Sequence, residues 1–373
     1  MKFKYPNPFT PRFGSVPPHL AGRDHLLSGY SVAFVGDGND PLLSAVFSGA
    51  RGSGKTALLV SLCELAEERG WVAAKVAAIP GLLEDVLQQA ISRGAHLLSS
   101  EGPHLTGMTV GPVGASWEQG SSMAPNWRTR MSRVLDELAT HDAGLVIAVD
   151  EVKATDEMVQ LASIVQHFVG EGRKVALLMA GLPHDVSALL SHEDVSFLRR
   201  ASSFRLGNVT PAEARVALRR TIEDYDRTIG PEALELAAEA SGGYPYLLQL
   251  IGFRAWALDA SVEEITLADV RDAIELAYDE YERGVLFSTY RDLSAGDIRF
   301  LEAMLEDEGP SATTDIAARM GVRSNYASKY KQRLLEQGVI EECGRGAVQV
   351  ALPRLKDYVR GMAQDKGRSK ADE

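Results

Sequence analysis

Cysteine is almost missing from this chain: 373 residues contain two, Cys63 and Cys343, far apart and outside any C-x-x-C pair. Neither a disulfide framework nor a cysteine-based zinc site can be built from them. Long hydrophobic runs are missing too, and none approaches the roughly 20 residues a membrane span requires. The opening stretch MKFKYPNPFTPRFG has no apolar segment of the kind that makes a secretory leader. A cytoplasmic protein without membrane partners is expected. Positive charge is not in excess, because 39 Lys and Arg face 51 Asp and Glu, for a net charge of −12. The molecule as a whole is therefore no nucleic-acid coat, although a local basic surface is compatible with that sum. Eight histidines, among them His96, His141 and His167, show no metal-ligand spacing. With 45% hydrophobic and 24% charged residues the composition is that of a globular protein. At about 150 residues per domain the length suits two or three domains.

What is present is a change of pattern along the chain. Residues 1–20 are rich in proline and read as an extended arm. From Ser44 short apolar runs alternate with amphipathic stretches: strands are expected at 44–48, 71–77, 144–149, 174–180 and 203–206, with helices at 55–69, 82–98 and 127–140. Uninterrupted apolar strands spaced by helices predict a parallel sheet covered on both faces. Residues 101–125, rich in Gly, Ser and Pro, with Trp117 within them and Trp127 just beyond, predict a long loop or hairpin. After Gly207 the strands stop. Thr210-Pro211 and Thr266 read as helix starts, so residues 210–283 form a helical bundle. From Ser294 a third pattern begins, two helices and a turn at Gly321, then a helix from Ser324 and two short strands around Gly344 and Gly346. Residues 361–373 are polar and are expected to be disordered.

One segment carries chemistry outright. Gly49-Ala50-Arg51-Gly52-Ser53-Gly54-Lys55-Thr56 fits G-x-x-x-x-G-K-[ST] in full, after an apolar strand and at the start of a helix. Small residues let successive backbone N–H groups converge on phosphate oxygens, and the helix start at Ala57 adds partial positive charge. Lys55 is placed to neutralise the β- and γ-phosphates and Thr56 to hold Mg²⁺. That ion needs a second acidic anchor. Asp150, ending the run Leu145-Val-Ile-Ala-Val149, supplies it, and Glu151 beside it is placed to polarise an attacking water.

A phosphate loop, an apolar run ending Asp-Glu, and a helical region followed by a winged-helix pattern resemble the AAA+ ATPases. The likeness is to the branch of origin-recognition initiators and archaeal-type ATPases, which approaches the STAND signalling ATPases. Pro18-His-Leu-Ala-Gly22-Arg23-Asp24 is similar to the segment that lies against adenine in this branch, and Ser241-Gly-Gly243-Tyr-Pro245 to the Gly-x-Pro signature of its lid. The resemblance implies an ATPase using ATP and Mg²⁺, with Arg23 and Pro245 near the nucleotide. It implies an α/β P-loop core (21–208), a helical lid (209–290) and a winged helix-turn-helix domain (291–360). The polar residue expected at the end of the fourth strand is replaced by Met179-Ala180-Gly181. An arginine in the lid helix is also missing near Gly243, with Arg254 a distant candidate. Arg199 and Arg200 stand where an arginine finger serving a neighbouring subunit would be. Their alternative is a solvated helix end paired with Glu193 and Asp194. Hydrolysis would then be slow without self-association or a partner ATPase.

The stretch from Thr313 to Glu341 resembles a winged helix-turn-helix. Ser324 is expected as a helix N-cap. Arg323, Ser324, Asn325, Ser328, Lys329 and Arg333 are expected to face duplex DNA, with Arg345 at the tip of the wing. Residues 319–360 carry nine Lys or Arg against four acids, a basic patch on an acidic body. The expected function is an ATPase whose nucleotide state controls duplex binding and assembly. Two alternatives stand beside it: a STAND-like switch whose winged helix binds a protein, and an accessory ATPase that delivers DNA to a transposition or phage-defence enzyme.

Overall fold

A computed structural model describes residues 5–12, 14–98, 126–259, 261–344 and 346–371, with side chains to residue 364. The expected hairpin at 101–125, Trp117 and Arg345 lie outside the described residues.

The core opens with α1 (Asp24–Ala33), β1 (Ser44–Ser48), α2 (Lys55–Glu68), β2 (Val72–Ala77) and α3 (Leu82–Gly94). It continues through α4 (Trp127–Thr140), β3 (Leu145–Asp150), α5 (Asp156–Gly170), β4 (Val175–Gly181), α6 (Pro183–Ser191), a 3-10 segment (Glu193–Arg200) and β5 (Ser202–Arg205). The five strands form one parallel sheet in the order β2-β3-β4-β1-β5. Residues 145–149 and 175–181 are buried throughout, as an apolar run covered on both faces must be. One face of the sheet packs on Leu87, Leu135, Leu161 and Phe168, the other on Tyr30, Leu58, Leu62 and Cys63. The strands finish almost level, with Ser48 paired to both Gly181 and Arg205, and Ala77 to Asp150. That carboxyl edge, with β1 between β4 and β5, is where open α/β sheets bind ligands.

The helical region follows: α7 (Pro211–Glu223), a short strand β6 (Thr228–Ile229), α8 (Pro231–Ala240), α9 (Pro245–Leu258), β7 (Glu264–Ile265) and α10 (Leu267–Tyr281). Thr210 and Thr266 each close a reciprocal capping box, with Glu213 and Asp269. A π-turn (Glu282–Leu286) and α11 (Phe287–Arg291) run on into α12 (Ala295–Met304), β8 (Ser311–Ala312), α13 (Thr313–Arg319) and α14 (Ser324–Glu336). Strands β9 (Ile340–Glu342) and β10 (Ala347–Val350) join β8 in a three-stranded antiparallel sheet ordered β8-β10-β9, and α15 (Leu355–Ala371) ends the description. Helices α7 to α15 share one continuous core, built around Trp256, Tyr281, Phe300 and Leu334.

Three expectations change. The tail expected to be disordered continues as helix to Ala371, extending a helix anchored by the buried Leu355 and Val359; propagation costs less than nucleation. Ser324 is the first helical residue rather than the cap; Arg323 holds the cap position without a side-chain bond. The arm is extended as expected but also docked. Phe9 is 3% exposed against Gly252 of α9, Asn7 donates to the Phe253 carbonyl, and the Thr10 amide donates to Gln249.

Candidate functional site

Residues 49–56 turn sharply between β1 and α2. Gly52 and Gly54 take φ of +72° and +85°, in the left-handed region where a side chain is strained. Gly49 has no room for one: a Cβ there would fall 2.4 Å from the Leu206 carbonyl oxygen and 2.6 Å from Ser53 Oγ. The loop is thus a cradle of main chain. Ser53 Oγ inside it is buried without a hydrogen-bond partner among the described residues. The Lys55 ammonium donates to the Gly49 and Ala50 carbonyls at 2.9 and 2.7 Å. Burial pulls its pKa down to about 8, and the carboxylates of Asp150 and Glu151 oppose that shift.

Thr56 and Asp150, 94 positions apart, meet directly, with Thr56 Oγ1 donating to Asp150 Oδ2 at 2.5 Å. A hydroxyl and a carboxylate beside a main-chain cradle are the hard oxygen donors that Mg²⁺ takes when it keeps most of its waters. Among the described residues no group of three or more His, Cys, Asp or Glu is placed to hold a metal ion. The donor set, the glycine cradle and the unpartnered Ser53 hydroxyl together fit a magnesium triphosphate. Glu151 is exposed, and its backbone is left-handed at φ +52°, with its amide bonded to Asp150 Oδ1 at 2.9 Å. For a residue other than glycine that geometry costs about 1 kcal/mol, and it sits next to the carboxylate that binds Thr56.

The lid reaches the same loop through a residue the sequence motif did not single out. Tyr244, just before Pro245 at the start of α9, is 2% exposed, and its hydroxyl donates to the Arg51 carbonyl at 2.8 Å. Arg23 is drawn to the rim, where its guanidinium donates to the Gly207 carbonyl at 3.1 Å; burial lowers its pKa against the opposing pull of Glu213. Gly181, at the end of β4, faces Val152 and offers no polar group. Arg254 stacks on Phe253 and pairs with Glu280, away from the loop.

The C-terminal segment also touches the loop. The turn after α14 places Gly338 so that a Cβ would lie 3.4 Å from Leu182 and 3.7 Å from both Ala50 Cα and Arg51 N. Glu341 in β9 pairs with Arg205 at the end of β5 at 3.0 Å. Ala50, Ser53, Arg205, Tyr244, Gly338 and Glu341 therefore line one cleft. Sequence spacing gave no sign of this contact.

The expected DNA-facing side chains divide. Arg323 and Lys329 are exposed and make no ion pair among the described residues, and Asn325 is exposed on the same helix start. Ser328 bonds back to the Ser324 carbonyl. Arg333, expected to face DNA, has its charge matched within the fold, although its side chain stays 43% exposed. It pairs with Asp297, which is 1% exposed, and stacks over Tyr330. Most of the other cations here are also paired, Arg319 with Asp307, Lys331 with Glu342 and Arg354 with Glu282. Arg199 and Arg200 are both exposed. Arg199 donates to the Leu190 carbonyl and not to Glu193 or Asp194, and Arg200 makes no ion pair among the described residues.

No curated protein matches this sequence. Residues 283–359 match a family model described as a domain of unknown function, DUF8462. In fold the chain is similar to the Walker-type ATPase of Pyrococcus abyssi, with TM-score 0.62 and 15% identity, covering 91% of this chain and 96% of that one. It is similar also to the Aeropyrum pernix ORC2 protein, solved as ADPNP–ADP complexes, with TM-score 0.60 and 15% identity over 96% of this chain and 98% of that one. No helix among the described residues is long and apolar enough to cross a membrane. The five-stranded parallel sheet, its helices and the helical region that follows thus share the fold of these two solved structures.

Proposed function

We propose that this chain binds and hydrolyses ATP, and that its nucleotide state sets how the C-terminal module is presented to duplex DNA and to neighbouring subunits. The observation that carries this reading is a single cleft in which the phosphate cradle meets the Gly338 turn at the end of α14. A change in the backbone of Ala50 or Arg51 on nucleotide binding would be felt at Gly338, which rests against both. Likeness in fold to a protein solved with ADPNP and ADP is in keeping with it.

The amides of residues 49–56 would hold the phosphates, and Lys55 would neutralise the terminal ones. Lys55 would leave two loop carbonyls to do so. Thr56 and Asp150 would hold Mg²⁺, which supplies charge neutralisation on the phosphates when bound. Glu151, exposed and held left-handed beside Asp150, would orient and deprotonate the attacking water. With Val152 and Val186 around Gly181 at the end of β4, no polar side chain there would stabilise the transferring phosphoryl group, and a further cation beyond Lys55 would have to come from elsewhere. Arg199 and Arg200, exposed and free of carboxylates, are suited to supply it to a neighbour's site. The order α12, β8, α13, α14, β9, β10 supports a winged helix whose recognition helix is α14, presenting Arg323, Asn325 and Lys329.

A second reading has its own support. Internal pairing of Arg319, Lys331, Arg333 and Arg354 removes much of the module's free positive charge, which favours a winged helix that docks a protein. The test is duplex binding by the full chain with Mg·ATP and with ADP, for the parent and for Glu151→Gln. The first reading expects affinity to differ between nucleotides, and Glu151→Gln to hold the ATP level indefinitely. Equal affinity in both states removes nucleotide control of duplex binding, and no duplex binding at all removes the DNA reading and leaves the protein-docking one.

A further inference from the structure

The geometry points to Tyr244 as a positioning residue for the phosphate cradle, orienting the Gly52 amide toward the nucleotide from the lid. This rests on the nucleotide reading above and assigns a role within it. Arg51 and Gly52 share one trans peptide plane, in which the carbonyl and the N–H point in opposite directions. Tyr244 Oη holds the Arg51 carbonyl at 2.8 Å on the lid side. The Gly52 N–H of the same plane is thereby turned away from the lid, and it has no hydrogen-bond partner among the described residues. Donors that converge without protein partners are what a phosphate-binding cradle requires.

Three observations make this a fitted contact. A Cβ on Gly52 would fall 2.1 Å from Tyr244 Oη, so the hydroxyl seats only against a glycine. The tyrosine ring is fixed by Tyr281, at 5.9 Å between centroids, and by Tyr246 at 6.4 Å. Its backbone is fixed as well. The Val209 amide donates to the Gly243 carbonyl at 2.8 Å, and a Cβ on Gly243 would strike the Val209 carbonyl at 2.1 Å. Burial raises the phenol pKa, so Tyr244 stays a donor across the physiological range. The first turn of α9 and the phosphate loop are therefore joined by one oriented bond, and a lid that swings must break it or carry the loop along.

Tyr244→Phe removes the hydroxyl and keeps the ring. Calorimetric titration of the full chain with Mg·ATP and with AMP should show ATP affinity falling about five- to tenfold, the worth of one net hydrogen bond. AMP affinity should stay at the parent's value, and the melting temperature should fall only by the few degrees that loss of one hydrogen bond brings. A purely structural role would weaken ATP and AMP alike, which overturns the proposal. Lys55→Ala separates the two levels of inference. If Lys55→Ala loses ATP and Tyr244→Phe does not, the positioning role is wrong and the phosphate site stands. If neither variant changes ATP affinity, the phosphate site itself is wrong and the positioning role goes with it.

Discussion

The phosphate-loop end of the sheet and the C-terminal module differ in how most of their charged residues are used. At the sheet edge, Lys55 is tied only to loop carbonyls, and Glu151 and Arg51 stay exposed. In the module Arg319, Lys331, Arg333 and Arg354 are each matched to a carboxylate, one of them on the buried Asp297. Charges outside direct ion pairs are available to a ligand, whereas paired ones hold elements together. Sequence composition sums both kinds alike, which is why a basic stretch overstates the charge offered to a partner.

The comparison is broken most severely at Lys55. Lys55→Ala should weaken Mg·ATP binding on the order of 100-fold, since charge-assisted bonds contribute about 1.5–3 kcal/mol each. Melting should stay near the parent's, and calorimetry together with a thermal scan checks both. Arg333→Met should do the reverse. It leaves the Asp297 carboxylate buried without its cation, so stability should fall by about 1.5–3 kcal/mol while ATP affinity is kept, as denaturant unfolding would read out. Loss of ATP binding in Arg333→Met, with the fold intact, would contradict the division.

A smaller effect comes from pH. Burial favours the neutral amine of Lys55, whose pKa drops from the ordinary 10.5 to about 8. A group lowered in this way costs the unliganded fold stability below about 8. That cost is recovered as pH rises from about 8 toward 10.5. Phosphate needs the ammonium, so ATP affinity should fall several-fold over the same window, measured by titration between pH 7 and pH 9.5. The smallest effect on the fold belongs to Arg323→Glu with Lys329→Glu. Stability should stay within about 0.5 kcal/mol of the parent. Duplex affinity should drop, with a salt slope reduced by about 2. An unchanged slope would favour the protein-docking reading.

Much of the sheet edge was legible because its signals are local. Residues 49–56 carry their own glycines, and the run from Leu145 to Val149 marks a buried strand that delivers Asp150 to the same edge. Helix starts at Thr210, Thr266 and Ser294 were legible for the same reason, since a capping box is four residues long. The remainder depends on contacts between distant positions. Tyr244 and Arg51 are 193 positions apart, and Arg333 and Asp297 are 36 apart. No spacing rule connects them. Gly338 reads as an ordinary helix stop, which it also is at φ +67°, and its seat against Ala50 exists only in three dimensions. The left-handed backbone at Glu151 was likewise illegible, because nothing but glycine, asparagine or aspartate signals such a conformation in sequence.

Whether the glycine cradle and the Thr56–Asp150 pair act as one magnesium-triphosphate site is open to direct measurement. Titration of the full chain with ATP, with and without Mg²⁺, tests this directly when repeated on Asp150→Asn. Tight binding that needs Mg²⁺ in the parent and loses that dependence in Asp150→Asn is the expected result. An affinity for ATP that is the same with and without Mg²⁺ in the parent, or a dependence that survives in Asp150→Asn, would contradict it.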